Sequence, residues 1–301
     1  PYKRNRKEMA DAMTEKEKEE NEVFWEVYDD FCDFIQTKTN TTVLRNPRTE
    51  ADDLIARWID KHPDQNHVII STDKDLNQLI TPRVKQYNGV NETTLTHEGW
   101  FDSKTGKPVI DKKLKAPKPA PDTEWIIFEK AMRGDPSDNI FSAYPGVRTK
   151  GTKNKIGLQE AFADRNEKGY TWNNLMLSKW VDHDGNEHRV MEDYERNRAL
   201  VDLHAQPEAI IEELDQTIAQ AKAENKSIDQ VGIRFMRFCG KYDLNRISEQ
   251  AQLYVEPFNA EDLKITALIP AKGKLEIFGE KPLIFYTIKR ALESKYINRV
   301  I

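Results

Sequence analysis

The chain has 301 residues, 38% hydrophobic and 32% charged, with a net charge of −5 and two cysteines. That length suits two compact units, no apolar run approaches a membrane span, and no signal peptide is visible. The cysteines, in "DDFCDFI" and "RFMRFCG", set neither a disulfide framework nor a zinc motif and are expected to be packed thiols of a reducing cytoplasm. The negative balance leaves a nucleic-acid partner open, because acids can concentrate at a metal site while bases lie along a phosphate path.

In chain order, Lys7 to Phe34 reads as one or two charged helices, nearly all polar at first and then apolar around Phe24, Trp25, Val27, Tyr28, Phe31 and Phe34. "TEADDLIARW" (Thr49 to Trp58) predicts a helix packed through Leu54, Ile55, Trp58 and Ile59, with Thr49 as its N-cap. Its entry carries Glu50, Asp52 and Asp53, more acid than a helix dipole requires, since crowded carboxylates repel unless a cation holds them. The apolar run from His67 to Ile70 predicts a strand buried on both faces, and Asp73 and Asp75 follow it. Helix, loop and strand in this order form the unit of a doubly wound α/β sheet, whose ligands gather at the C-terminal ends of strands. Two aspartates there offer hard oxygens suited to Mg²⁺ or Mn²⁺.

Residues 81–122 read as an inserted set of short strands around Asn-Gly and Lys-Thr-Gly turns, ending in the Lys/Pro-rich linker "DKKLKAPKPAP". Asp135 and Asp138 then lie on a turn between apolar segments, behind Gly134. Three acidic groups on structured turns suggest a two-metal site for phosphoryl displacement, the alternative being capping and turn residues. "GVRTKGTKNK" (Gly146 to Lys155) carries Arg148, Lys150, Lys153 and Lys155 without an acid and reads as a phosphate-gripping loop or a solvated one. The Asp184-Gly185 turn marks a hairpin whose His183, His188, Asp182 and Glu187 fit a polar turn with unfixed ligands better than a metal site. The sequons at Asn40 and Asn91 are formal only.

"EADD", "STDKDL" and "GDPSDNI…PGV", in this order, resemble the structure-specific 5′ nucleases: flap endonucleases, the 5′-nuclease domains of bacterial DNA polymerases, and the phage 5′-to-3′ exonuclease or ribonuclease H group. "YKRNR" (Tyr2 to Arg6) and "RNRALVDL" (Arg196 to Leu203) are similar to the phage branch, and the resemblance covers about residues 1–258. It implies an α/β fold, a PIN-like parallel-sheet core lacking its first strand, with a helix-hairpin-helix region and a short C-terminal β-α appendage. The segments it implies are a helical arch at 1–43, a metal-site core at 44–130, a DNA-binding region at 131–258 and a foreign or incomplete module at 259–301.

The resemblance further implies that Glu50, Asp52, Asp53, Asp73, Asp75, Asp135 and Asp138 hold two Mg²⁺ or Mn²⁺ ions. Lys3, Asp73, Asp75 and Asp135 are then the catalytic set, with Lys3 near the scissile phosphate. Arg4, Arg6, Gly146, Arg148, Lys150, Gly151, Lys153 and Lys155 are the implied DNA contacts, and K⁺ is an implied ligand of the hairpin. Two further aspartates belong upstream of Tyr2 in the family, so the chain is expected to be a fragment.

The implied substrates are DNA with a 5′ flap or an RNA–DNA hybrid, with replication proteins such as single-strand-binding protein as partners, the enzyme acting as a monomer in the cytoplasm, of a host cell if phage-encoded. The different-class alternative is a DNA-binding module without activity. Residues 259–301, "LKITALIPAKGKLEIFGEKPLIFYTIKRALESKYINRVI" included, resemble the opening of acylneuraminate cytidylyltransferases, with a shortened nucleotide-binding loop, leaving a sugar-nucleotide transferase as a minor alternative.

Overall fold

The computed structural model describes residues 4–152, 156–224 and 226–259, and the backbone of strands at 265–268, 277–278 and 281–282. The elements begin with helices α1 (Arg4–Asp11), α2 (Glu15–Lys38) and α3 (Ala51–Lys61) and strands β1 (Asn66–Ile70), β2 (Val84–Asn88), β3 (Thr93–Thr96) and β4 (Gly99–Asp102). The hairpin of β5 (Ile110–Asp111) and β6 (Ala116–Pro117) leads to α4 (Thr123–Arg133), α5 (Leu158–Ala163) and α6 (Tyr170–Met176). Strands β7 (Lys179–Val181) and β8 (Glu187–Arg189) precede α7 (Val190–Val201), α8 (Glu208–Ala223), α9 (Val231–Lys241), α10 (Asn245–Ser248) and α11 (Ala251–Asn259). Last come β9 (Ile265–Leu268) and the pair β10 (Ile277–Phe278) and β11 (Lys281–Pro282).

The chain divides into two compact units that interleave in sequence. One comprises residues 1–18 and 122–206, and the other 19–121 and 207–301.

The second unit holds the sheet, in the order β4-β3-β2-β1-β9. Strand β1 pairs in parallel with β2 and with β9, whereas β2, β3 and β4 are antiparallel. Val68, Ile69 and Ile70 are at most 7% exposed, as the β-branched run requires of a strand covered on both faces. The short strands expected as an insertion therefore extend the main sheet, with β2 paired directly to β1; only β5 and β6 stand apart as a two-stranded hairpin. The C-terminal segment expected as an appendage likewise places β9 in the sheet, beside β1. Its Gly/Lys loop, residues 269–276, lies outside the described residues.

Helix α3 turns its apolar stripe, Leu54, Ile55, Ala56 and Trp58, inward. Its opposite side is tied to α8, where Arg57 donates to both oxygens of Asp215 at 2.6 and 2.7 Å and Lys61 adds an ion pair at 2.8 Å. The Arg57 guanidinium outweighs burial and holds the Asp215 carboxyl near 2. The apolar end of α2 packs as expected: Phe34 and Ile35 join Val231, Phe235 and Cys239 of α9 in one core. Burial pushes the Cys239 thiol up to about 11, consistent with a packed thiol.

The first unit is helical, around Phe128, Met132, Leu158, Trp172 and Tyr194. Asn197 of α7 ties it across, donating to the carbonyls of Ala131 at 2.8 Å and Phe141 at 2.7 Å. Among the described residues no helix is long and apolar enough to cross a membrane.

Candidate metal centre

The acids of the second unit stand at element ends. The helix begins one residue later than its Thr49 cap predicts. Glu50 is the N-cap, and its backbone amide donates to Asp53 Oδ2 at 2.9 Å in a reciprocal capping box. Thr49 is instead buried, its hydroxyl without a partner among the described residues. Much of the acidity at this entry thus has a local structural use: Glu50 and Asp53 secure the helix start, and Asp52 complements its dipole from the first turn.

Past β1 the chain turns on its own side chains. Ser71 Oγ accepts from the amide of Asp73 at 3.0 Å, and Asp73 Oδ1 accepts from the amide of Asp75 at 2.9 Å. Asp75 opens a 3₁₀ turn, Asp75–Leu79, whose Leu76 and Leu79 anchor it in the core. Gln86 of β2 fixes the same bend from the neighbouring strand, donating to the carbonyls of Ser71 at 3.1 Å and Asp73 at 2.6 Å. Parallel pairing of β1 with β2 brings Gln86 here, and nothing in the local sequence marks it as a site residue.

In the first unit, Asp135 and Asp138 share one tight loop. Gly134 has φ 74°, and a Cβ there would lie 2.3 Å from the Ile140 carbonyl oxygen, so the position requires glycine. The amide of Asp135 donates to the Ile140 carbonyl at 2.8 Å, and Asn139 takes the left-handed conformation that closes the turn. Asp138 is buried at 8% exposure. Asp135 Oδ1 accepts from the Ser137 amide at 2.9 Å and hydroxyl at 2.5 Å, and Oδ2 meets Lys130 Nζ at 2.9 Å. Burial raises the pKa of this carboxyl, but the Ser137 hydroxyl and the Lys130 ammonium outweigh it and bring it down to about 2. Helix α1 approaches the same turn, with Arg4 paired to Glu8 at 2.6 Å. The sequence marks neither Lys130 nor Ser137 as a site residue; Lys130 is five positions before Asp135, a spacing no helix-face pattern joins.

The donor set fits a hard divalent cation, since it is all carboxylate oxygen and Asp135 is ionised throughout the neutral range.

The basic loop between α4 and α5 is folded back on itself. Leu158 and Gln159 donate to the carbonyls of Arg148 and Thr149, both at 2.9 Å. Gly157 permits this closeness, because a Cβ there would lie 2.3 Å from the Gly151 nitrogen. The Gly151 amide donates to Glu160 at 3.0 Å from Oε1 and 3.2 Å from Oε2, so a phosphate reaches it only by displacing that carboxylate. Gly146 holds φ 75°, and Arg148 and Lys150 stand at the surface. Lys3, Lys153, Lys155 and the side chain of Arg6 lie outside the described residues.

The polar hairpin is better fixed than its sequence suggests. His188 is held between Asp193 Oδ2 at 2.9 Å and Asp182 Oδ2 at 3.1 Å and stacks on Trp180 at 4.4 Å. His183 is exposed on the turn.

An α/β sheet with aspartates just past a parallel strand sets those carboxylates at the strand ends, where ligands of such sheets gather. Residues 1–106 match the family model for the 5′-3′ exonuclease N-terminal resolvase-like domain. The matched segment is about a third of the chain. DNA polymerase I of Rhizobium leguminosarum is 32% identical over 127 residues, 42% of this chain, and the chain spans 11% of that relative's length. A solved structure of the phage T5 D15 protein with metal ions is 22% identical, with a TM-score of 0.47 over 73% of this chain and 78% of that one. The bacteriophage T5 flap endonuclease in a pseudo-enzyme-product complex with DNA and metal ions is 21% identical, with a TM-score of 0.46 over 73% and 77% of the respective chains.

Proposed function

We propose that the chain acts in a structure-specific 5′-to-3′ nuclease that hydrolyses phosphodiesters near junctions of single- and double-stranded DNA, or in RNA primers on DNA. The observation that carries this reading is the position of Asp73 and Asp75, just past a parallel strand inside the segment that matches the exonuclease family. Asp73, Asp75, Asp135 and Asp138, and Glu50 and Asp52 helped by Asp53, are the carboxylates that would hold divalent ions. Mg²⁺ or Mn²⁺ held there supplies concentrated positive charge to the phosphate under attack.

The chain's own residues do the rest. Ser71 and Gln86 orient the Asp73 bend, and Lys130 and Ser137 keep Asp135 ionised. Lys3 and Arg4 supply cations for the phosphate, and Arg148, Lys150, Lys153 and Lys155 grip the duplex backbone.

Asp73→Asn tests the reading. The amide keeps shape and a neutral oxygen but loses the charge that holds a hard cation. Single-turnover cleavage of a labelled 5′-flap duplex should fall at least about a hundredfold, while a gel-shift titration of the same duplex in Ca²⁺ changes little. Parental cleavage by the variant would remove Asp73 from the site. Duplex binding without cleavage in the parent would favour a DNA-binding module instead.

A further inference from the structure

A cleft of about 440 Å³ opens within the first unit, between α4, α6, α7 and the loop that precedes α6. None of its lining residues belongs to the acidic turns or the basic loop. Its deep wall is aromatic: Phe128, Phe162, Trp172 and Tyr194 are each at most 9% exposed, and Trp172 meets Tyr194 edge-to-face at 6.1 Å. Its rim is charged and differentiated. Arg165 is committed, with its guanidinium 3.8 Å above the Phe162 ring and Nε 3.1 Å from Glu124. Arg198 is paired with Asp202 at 3.3 Å. Lys168 and Glu195 are both exposed, and neither forms an ion pair among the described residues. The indole N–H of Trp172 is buried in the wall with no acceptor among the described residues.

Each feature narrows the ligand. The volume falls in the range of small-molecule sites, roughly 300–1,000 Å³. An aromatic wall favours a flat ring system, which it meets by edge-to-face or offset stacking. The available ammonium of Lys168 calls for an anion, and the available carboxylate of Glu195 for a group rich in N–H donors. A simple anion leaves the wall unused, and an apolar ligand strands the two rim charges. A nucleobase carries ring acceptors and N–H donors on one flat frame, and a 5′-phosphate adds the anion. We propose that this cleft binds a nucleoside 5′-monophosphate, with the base against the Trp172–Tyr194 edge of the wall and its donor edge toward Glu195, and the phosphate at Lys168. The proposal does not depend on the nuclease reading.

Titration calorimetry of the full chain with guanosine 5′-monophosphate tests it, in buffer containing EDTA so that the acidic turns hold no metal. Guanosine and ribose 5-phosphate serve as half-ligands, and each should bind at least about tenfold more weakly than the nucleotide. Lys168 has φ 48°, a left-handed conformation that asparagine tolerates, so Lys168→Asn removes the charge without straining the loop. This variant should weaken the nucleotide about fivefold or more and leave guanosine unchanged, because an exposed charge-assisted hydrogen bond contributes on the order of 1 kcal/mol. Glu195→Gln should weaken guanosine and the nucleotide alike. Thermal unfolding of both variants at the parental midpoint establishes that the fold is intact. Nucleotide binding no tighter than that of ribose 5-phosphate, or unaffected by Lys168→Asn, would overturn the proposal.

Discussion

Lys130 does for Asp135 what a bound cation would do, and does it from inside the same unit. Both side chains are about one-fifth exposed, 18% and 20%, so their attraction is only partly screened. The folded-state pKa of Asp135 lies near 2, below the usual value of about 3.9 for an aspartate. A depressed carboxyl contributes stability above its unfolded value and loses it as pH falls toward the folded value, so this contribution disappears between about pH 4 and pH 2. Lys130→Met should therefore cost roughly 1 kcal/mol at neutral pH after allowance for screening, and should flatten the acid limb of the unfolding curve in that window. Thermal melts at half-unit pH steps would show both. If the nuclease reading holds, the same variant should also raise the divalent-ion concentration needed for half-maximal cleavage, since Asp135 would be without its positioning partner. The other residue-scale lesson concerns the N-cap. Threonine is a common cap and glutamate an uncommon one, so Thr49 is the natural sequence-based choice; the capping box, in which Asp53 answers Glu50, decides for the later start.

At the scale of elements, the β7–β8 hairpin hangs on one imidazole. The pKa of His188 is drawn upward, first by its bond to Asp182 and then by Asp193, against the opposing effect of burial. Asp193 also carries Arg196 at 2.5 Å, and the hairpin's own Lys179–Glu187 pair flanks it at 2.8 Å. A raised histidine stabilises fully below its unfolded value of about 6.5 and loses that contribution as pH climbs through the higher folded value. Amide exchange in residues 179–189 should accordingly quicken, beyond its intrinsic pH dependence, above neutrality, and His188→Gln should remove this excess.

Elements with a local cause were legible: β1 from its β-branched run, α3 from its apolar stripe, and the apolar half of α2 from its aromatics. Their neighbours were less so. The residues of β2, β3 and β4 announce strands and turns, but whether a strand joins the main sheet or stands apart is settled by which edge it meets, and that information is tertiary. Asp73 and Asp75 were visible because they follow a strand. Gln86 was not, because it acts across the sheet on a bend fifteen residues earlier.

At the scale of the whole molecule, charge segregation has a measurable signature. The net charge is −5, yet Arg148 and Lys150 stand at the surface on a loop with no acid between Gly146 and Lys155. If this loop grips duplex phosphates, neutralising both residues should reduce the slope of log K against log salt by about 0.9 for each phosphate that goes unneutralised. A double variant with an unchanged slope in fluorescence-anisotropy titrations would place the DNA path elsewhere.

The interleaving of the two units bears on the order in which the chain folds. The first unit draws on residues 1–18 and then on 122–206, while the sheet of the second waits for β9 at 265–268. The pairing of β1 with β9 thus closes across nearly two hundred residues, a long-range contact whose loop-closure entropy places it late in folding.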